Sequence, residues 1–302
     1  MVDIITRAGC FVAIIVIGYI LRRKKFFGEE AFGVLSKITL KITLPAAIVS
    51  SFAGKPFDFS MLFLVVVGLG FGVIYMLLAY VLNRKRGKEQ QAFTMINISG
   101  YNIGNFTMPF VQSFLGPVGV IATSLFDTGN AAICLGGSYG FAQMVQSGEK
   151  FSFVRVLKAL TKSIAFDCYV IMVLMHVLHI AVPRPVVSLA EIIGGANAFV
   201  AMLMIGVGFK LSGDMSQKKT ILRILSVRYA VAALMAAGCY FLLPFSLEVR
   251  QALAILPFAP IASAAPAFTK ELGGDVGLAS AVNSISIVVS IFCIIGVLLI
   301  ML

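Results

Sequence analysis

Charged residues are scarce in this sequence. Only 12% of its 302 residues are Asp, Glu, Lys or Arg, whereas 60% are hydrophobic and the mean hydropathy is +1.01. A soluble domain is usually about half apolar and about one quarter charged. A water-exposed fold of this length cannot bury so much apolar surface. The composition therefore excludes an ordinary soluble protein and predicts an all-α polytopic protein of the lipid bilayer.

Metal-binding and redox residues are also few. The five cysteines all fall in apolar segments and none forms a CxxC pair, so they indicate small core residues and not a disulfide framework. The two histidines, His176 and His179, lie three residues apart without further ligands nearby in the sequence. A zinc site needs more ligands than this pair supplies. We therefore expect no metal site and no resident cofactor.

Several enzyme motifs are missing as well. There is no HExxH and no Walker A sequence, and ELGGD at 271–275 has Leu272 where a GxGD protease motif has its first glycine. These absences disfavour intramembrane proteolysis and ATP-driven transport by this chain. We expect a membrane protein that is not an enzyme.

Long apolar segments are what the sequence does contain. A membrane helix needs about 20 mostly apolar residues. By that criterion the sequence predicts ten segments: 4–21, 31–53, 58–82, 92–114, 118–145, 160–182, 186–209, 222–243, 251–269 and 276–300. These are called segments 1 to 10 below.

The basic residues predict an orientation. Most of the 24 Lys and Arg residues follow segments 1, 3, 5, 7 and 9. The opposite side holds only Arg7, Lys55, Arg184 and Arg250. By the positive-inside rule, both termini lie outside a cell (inner) membrane. The net charge of +11 is then mainly a topology signal, and we expect no nucleic-acid partner.

Ten segments divide into two sets of five, which predicts an inverted repeat. Five is odd, so residues 151–302 would be inserted upside down relative to residues 1–150, as in many secondary transporters. An offset of about 154 residues places irregularities of one half on those of the other. Segment 4 carries Asn102, Asn105 and Pro109, and segment 9 carries Pro257, Pro260 and Pro266.

These helix-weakening residues predict a binding site. Proline removes a backbone hydrogen bond and glycine favours non-helical backbone, and freed amides are tolerated at membrane depth only against protein or a cavity. Broken helices in corresponding positions would place half-helix N-termini, which favour anions, near the midplane. The alternative is that small and polar residues simply hold helices together.

Asp127 is the candidate coupling residue. Insertion of an Asp at the centre of a membrane helix costs roughly 2.5–3.5 kcal/mol on insertion scales. Such a residue therefore indicates a function, such as carrying a proton or binding sodium. The alternative is a structural carboxylate that hydrogen-bonds to neighbouring helices. Asn130 lies on the same segment, and Asn283 lies near the matching place on segment 10. For Asp167 we expect a local pair with Lys162, and for Lys37 and Lys41 contact with cytoplasmic water.

The motif NIGNFTMP at 102–109 resembles the Asn-x-Gly-Asn-x-x-x-Pro signature of the auxin efflux carrier family. The resemblance extends to KITLPAAIVSSF in segment 2, LFDTGNAA in segment 5 and the proline-rich segment 9, and so covers nearly the whole chain. No long cytoplasmic loop is present, which is typical of the bacterial branch and not of the plant auxin exporters.

The resemblance implies the fold of bile acid–sodium symporters, in which a scaffold and a transport domain arise from two inverted repeats and broken segments 4 and 9 cross beside the substrate. It implies these crossing residues: Asn102, Gly104, Asn105 and Pro109, opposite Pro260, Ser263 and Pro266. Asp127 and Asn130 would line the adjacent support. Bacterial relatives are linked to carboxylates such as malate, malonate or lactate, and the resemblance suggests a homodimer. One departure is Asp167, in a region where the family often has Asn-Pro.

The sequence therefore predicts a secondary transporter of a small organic anion, coupled to H⁺ or Na⁺ and working by alternating access. Asp127, Asn130 and Asn283 are the candidate ion-coupling residues. An uncoupled channel or uniporter on the same architecture is the main alternative. A membrane receptor is a further alternative, although it would not explain paired helix breaks.

Overall fold

The computed structural model describes residues 2–53, 58–209 and 217–302, and within these ranges the chain is helical without a β-sheet. Lys55 and Lys210 lie outside the described residues. The helices of the first half are α1 (Val2–Arg23), α2 (Ala31–Ile38), α3 (Leu44–Phe52), α4 (Phe63–Leu82), α5 (Lys88–Ser99), α6 (Met108–Phe114), α7 (Gly116–Ala132) and α8 (Ser138–Ser147). Those of the second half are α9 (Phe153–Leu160), α10 (Ile164–Val177), α11 (Arg184–Gly195), α12 (Asn197–Gly208), α13 (Lys218–Leu242), α14 (Leu247–Ile255), α15 (Ala265–Glu271) and α16 (Val276–Met301).

Short irregular turns join several of these helices. Three π-helical turns, Thr39–Thr43, Ile103–Thr107 and Ile133–Gly137, connect α2 to α3, lead into α6, and connect α7 to α8. At the last of these turns Gly136 has a φ of 156°, a conformation that side chains rarely adopt. Two 3₁₀ turns, Phe59–Leu62 and Leu256–Phe258, precede α4 and follow α14.

Seven helical runs in the described residues are long and apolar enough to cross a membrane. They coincide with predicted segments 1, 2, 3, 5, 7, 8 and 10, which confirms a multi-pass membrane protein. The other three segments are not long single helices. Segments 4 and 9 are each broken into two half-helices, as expected. Segment 6, predicted as one helix over 160–182, is shorter in the structure: α10 runs over Ile164–Val177, and α9 precedes it at a bend of 78° about Thr161–Ser163.

The helices pack in two groups. In one group α1 packs along α12, and α11 packs along α3. In the other, α4 packs along α5 and α7, α13 packs along α14, and α14 in turn packs on α7. Residues from both halves of the chain therefore share each core. The two groups meet where α3 touches α7 and α6 touches α12.

Contacts at the helix ends agree with the predicted alternation of direction. Arg7 at the start of segment 1 donates to the Ser113 carbonyl at the end of segment 4 (2.9 Å). At the other face, Arg155 before segment 6 pairs with Glu271 after segment 9 (3.0 Å). Ends that the charge pattern assigns to one face are thus neighbours in space.

The α1–α12 packing depends on two glycines that let the backbones touch. A Cβ at Gly206 would overlap the Ile15 carbonyl oxygen, and a Cβ at Gly18 would lie 2.5 Å from the Leu203 carbonyl oxygen. Gly9, on another face of α1, has nothing within 4 Å of its Cβ position. Small residues at such contacts are a common basis of helix association in membranes.

Gly206→Ala should therefore destabilise the protein by about 1–3 kcal/mol, because the added methyl forces the two backbones apart. We expect a lower melting temperature for the purified protein in detergent. Gly9→Ala is the matched control and should stay within about 0.5 kcal/mol of the wild type. Equal melting temperatures for the two variants would contradict this packing.

Candidate functional site

The two broken segments cross at their breaks and are joined by backbone hydrogen bonds. Tyr101 and Ile261 form an isolated antiparallel bridge. The Asn102 N–H donates to the Pro260 carbonyl (2.9 Å), and the Ala262 N–H donates to the Gly100 carbonyl (3.2 Å). The residues that interrupt each broken helix therefore provide hydrogen-bond partners for the backbone groups of the other. This arrangement meets the requirement that freed amides at membrane depth find partners within the protein.

Two asparagines hold the extended residues in place. The Asn130 side chain accepts from the Tyr101 N–H (3.1 Å) and donates to the Tyr101 carbonyl (2.9 Å). The Asn283 side chain donates to the carbonyls of Ile261 (3.1 Å) and Ala262 (3.2 Å). An amide carries both donors and acceptors, so it can replace helical hydrogen bonds at a break. Each asparagine comes from the long helix that follows the break in its own half.

A cavity of about 160 Å³ lies beside the crossing. Six of the predicted site residues line it: Asn102, Gly104, Asn105, Asp127, Asn130 and Ser263. Its other walls come from Leu40 and Leu44 of segment 2, from the α7–α8 turn around Cys134 and Leu135, and from the start of α10. The other four predicted residues, Pro109, Pro260, Pro266 and Asn283, do not line the cavity and shape the breaks behind it.

Both half-helices that leave the crossing begin at this cavity. Asn102 is the N-cap of the helical stretch that continues as α6, and Ala264 is the N-cap of α15. Pro266 occupies one of the first two positions of α15, where a missing N–H costs little, whereas Pro109 lies where the π-helical turn passes into α6. The first N–H groups of a helix have no intrahelical partner and carry its partial positive charge. The cavity therefore receives two such ends, one from each half of the chain.

Asn105 offers the cavity an unpaired amide. Its side chain is only 5% exposed, and its Oδ1 has no hydrogen-bond partner. A buried polar atom without a partner costs about 1–3 kcal/mol. The cost is accounted for if a bound molecule donates a hydrogen bond to this oxygen or a bound cation contacts it, so Asn105 is a candidate ligand-binding residue on grounds that do not depend on the sequence motif.

Asp127 faces the cavity within a small hydrogen-bond network. Its Oδ1 accepts from Asn130 Nδ2 (2.8 Å), and its Oδ2 accepts from the Tyr169 hydroxyl (3.2 Å). No described cationic side chain pairs with it. A cavity-lining carboxylate without a counter-ion is suited to bind a proton or a metal cation. The same network also fits the structural alternative, because Asn130 links Asp127 to the break at Tyr101.

Segment 6 contributes through residues that the sequence analysis did not select. Ser163 and Ala165 line the cavity, and Tyr169 reaches Asp127. Asp167 does not line the cavity and forms no ion pair with Lys162. Lys37 and Lys41 are exposed and do not line the cavity either. The region where the family often has Asn-Pro thus supplies a serine and a tyrosine. In the sequence, only the polar residues of TKSIAFDCY indicated that this region contributes to the cavity.

Arg228 departs most from the sequence analysis. The charge pattern places it among the basic residues that flank segment 8 on the cytoplasmic side. In the structure it is fully buried and contacts the crossing. Four carbonyl groups accept hydrogen bonds from its guanidinium: those of Ile98, Gly100, Ala259 and Pro260. The positive-inside rule counts charges near helix ends and cannot separate a residue that points inward from its neighbours.

The fold and the site define a membrane transporter, because broken helices around a cavity at membrane depth are the mark of that class. A comparison with protein families agrees: the model of the family described as "Membrane transport protein" matches residues 10–298. The chain belongs to this family, which confirms the resemblance to auxin efflux carriers. A search of curated proteins found no match.

The bracing role of Asn130 can be tested separately from ligand binding. Asn130→Ala should destabilise the protein by about 1–3 kcal/mol, because the N–H and carbonyl of Tyr101 lose their partner. The measurement is the melting temperature without added ligand. Asn105→Ala is the matched control and should not lower it, because the Asn105 Oδ1 makes no bond. A melting temperature for Asn130→Ala equal to that of the wild type would show that Tyr101 does not depend on this asparagine.

Proposed function

We propose that the protein is a secondary active transporter of a small organic anion, a carboxylate such as malate, malonate or lactate, coupled to H⁺ or Na⁺. The observation that carries the proposal is the convergence of two half-helix N-termini on one cavity that Asn105 also lines. Backbone N–H groups at a helix start are a general anion-binding arrangement.

The cavity also limits the size and polarity of the substrate. Its volume of about 160 Å³ suits a molecule of a few carbons, and its other walls include the apolar side chains of Leu40, Leu44 and Leu135. A carboxylate would bind at the helix starts, with Asn105 Nδ2 and the Ser263 hydroxyl as additional donors. The alkyl part of the substrate would face the leucines.

Coupling follows from the charge of Asp127. An ionised carboxylate beside the site repels a second anion, and at separations of several ångströms inside a protein this repulsion amounts to a few kcal/mol. A proton or Na⁺ bound at Asp127 removes the repulsion. Cation and substrate would therefore bind together, which is the condition for symport: each favours the same state of the site.

We also propose that the chain crosses a cell membrane ten times, with residues 1–150 and 151–302 as inverted repeats. Two features support this arrangement. Asn130 and Asn283 brace the breaks of their own halves, each from the long helix that follows the break. Thr43 donates to Asn197 (2.9 Å), a residue 154 positions later, so residues that match at the repeat offset meet in the core.

Alternating access would move segments 3–5 and 8–10 against segments 1, 2, 6 and 7. The cavity reaches Ser163 and Leu135, which lie toward the predicted cytoplasmic face. On the opposite side α6 is closed against the other group: Gln112 donates to the Gly194 carbonyl (2.9 Å), and Phe110 packs edge-on against Phe11 at 5.1 Å. This pattern fits an inward-open state whose outer contacts separate when the site turns outward.

The test is uptake of labelled malate, malonate and lactate into proteoliposomes, with a pH or Na⁺ gradient imposed separately. We expect uphill accumulation under one gradient only. Asn105→Ala should reduce the uptake rate about tenfold or more, because one buried hydrogen bond to a charged group is worth about 1.5–3 kcal/mol.

Asn83→Ala is the matched control for this variant, because Asn83 is a buried asparagine that does not line the cavity. It should transport like the wild type. Flux without accumulation would indicate the uncoupled uniporter or channel. Normal uptake by Asn105→Ala at all substrate concentrations would show that the substrate does not bind at the crossing.

Asp127→Asn should uncouple transport from the cation. The amide keeps the shape of the side chain and removes its charge, so the substrate should bind without a co-bound proton or Na⁺. We expect the variant to equilibrate substrate across the membrane but not to accumulate it, with a binding constant within about threefold of that of the wild type at saturating H⁺ or Na⁺. Accumulation that responds to pH and Na⁺ as in the wild type would leave Asp127 with a structural role only.

A further inference from the structure

Arg228 is a buried cation that contacts the crossing. It projects from α13, its side chain is fully buried, and no described carboxylate forms an ion pair with it. A charge without a counter-ion at this depth is costly. Dipoles must therefore compensate the charge of the side chain. The groups that supply these dipoles indicate the role of Arg228.

The compensating groups are the carbonyls of both broken helices. Nη1 donates to Ile98 O, and Nη2 donates to Gly100 O (3.1 Å), Ala259 O (2.9 Å) and Pro260 O (3.4 Å). Ile98 and Gly100 end α5, and Ala259 and Pro260 follow the turn that ends α14. The guanidinium also lies 4.8 Å from the Tyr101 ring centroid and 5.3 Å from that of Tyr75, within cation–π range.

These carbonyls are the negative ends of two helix dipoles. A crossing of two broken helices brings together two positive ends, equivalent to about half a charge each, and two negative ends of similar size. Without a cation the four ends would largely cancel, and the crossing would favour neither anions nor cations. Arg228 neutralises the negative pair and leaves the positive pair, at the cavity, unopposed.

We propose that Arg228 is a specificity-determining residue that makes the crossing selective for anions without touching the substrate. It acts through the field of the crossing and by tying the ends of α5 and α14 to one rigid group. The inference rests on the proposed transport function and deepens it, because it attributes the preference for a negatively charged substrate to a residue outside the cavity.

Asp127 allows this electrostatic role to be separated from a structural one. Asp127 contacts Asn130, Asn130 contacts Tyr101, and Arg228 stacks on Tyr101. The two charged residues share no direct bond. If Arg228 acts by charge, removal of the Asp127 charge should compensate for its loss. If it acts only by holding carbonyls, Asp127 should have no influence.

The experiment measures equilibrium binding of labelled malonate to the purified protein in nanodiscs, without Na⁺ and at a proton concentration low enough that no cation neutralises Asp127, with the melting temperature as the measure of folding. Arg228→Gln should weaken malonate binding about tenfold, the effect expected of one charge about 10 Å away at an effective dielectric constant near 20. Arg228→Lys keeps the charge and should stay within about threefold, although it melts lower because it loses the planar fork. The double variant Arg228→Gln/Asp127→Asn should recover most of the lost affinity.

Each outcome decides a different point. Absence of malonate binding by the wild type even at saturating H⁺ or Na⁺ would contradict the proposed substrate, separately from the role of Arg228. Malonate binding by a folded Arg228→Gln equal to that of the wild type, or a loss that Asp127→Asn does not restore, would overturn the proposal. If Arg228→Gln does not fold, Arg228→Lys carries the test, and a folded Arg228→Lys with tenfold weaker binding would overturn it. Failure of both variants to fold would assign Arg228 to folding alone.

Discussion

The structure depends on one constraint, that backbone groups freed at membrane depth must find partners inside the protein. The breaks in segments 4 and 9 free such groups near Tyr101 and Ile261, and no water-filled surface is needed to satisfy them, because each break pairs with the other. Asn130, Asn283 and Arg228 complete the pairing from three neighbouring helices. The crossing is thus a small polar core within an apolar bundle.

The crossing has one side of partial negative charge and one side of partial positive charge. Carbonyl ends face Arg228, and N–H ends face the cavity that contains Asn105 and Asp127. The division explains how a cavity without a described lysine or arginine can favour an anion, and why a carboxylate beside it suits coupling to a cation. In this account selectivity and coupling are two consequences of one arrangement of dipoles and charges.

The sequence was sufficient to predict the long helices, because an apolar run of membrane length has few alternatives. It also predicted the breaks, because proline and glycine act locally. Six of the ten predicted site residues line the cavity, and these belong to the breaks or to one face of α7, where local spacing determines position. Arg228 and Tyr169 were missed because their roles depend on which way a side chain points in the tertiary structure. The bend between α9 and α10 was missed for a related reason: TKS reads as the polar start of one helix, whereas Ser163 caps a new one.

The most direct test of the central claim is a cryo-EM map of the protein in nanodiscs with malonate. The account predicts density beside the Asn105 amide and the N–H groups that begin the helices after the crossing, with the Tyr101–Ile261 bridge intact. Density confined to the larger cavity of about 550 Å³ near His176 and Arg184, with the crossing cavity empty at saturating malonate, would contradict it.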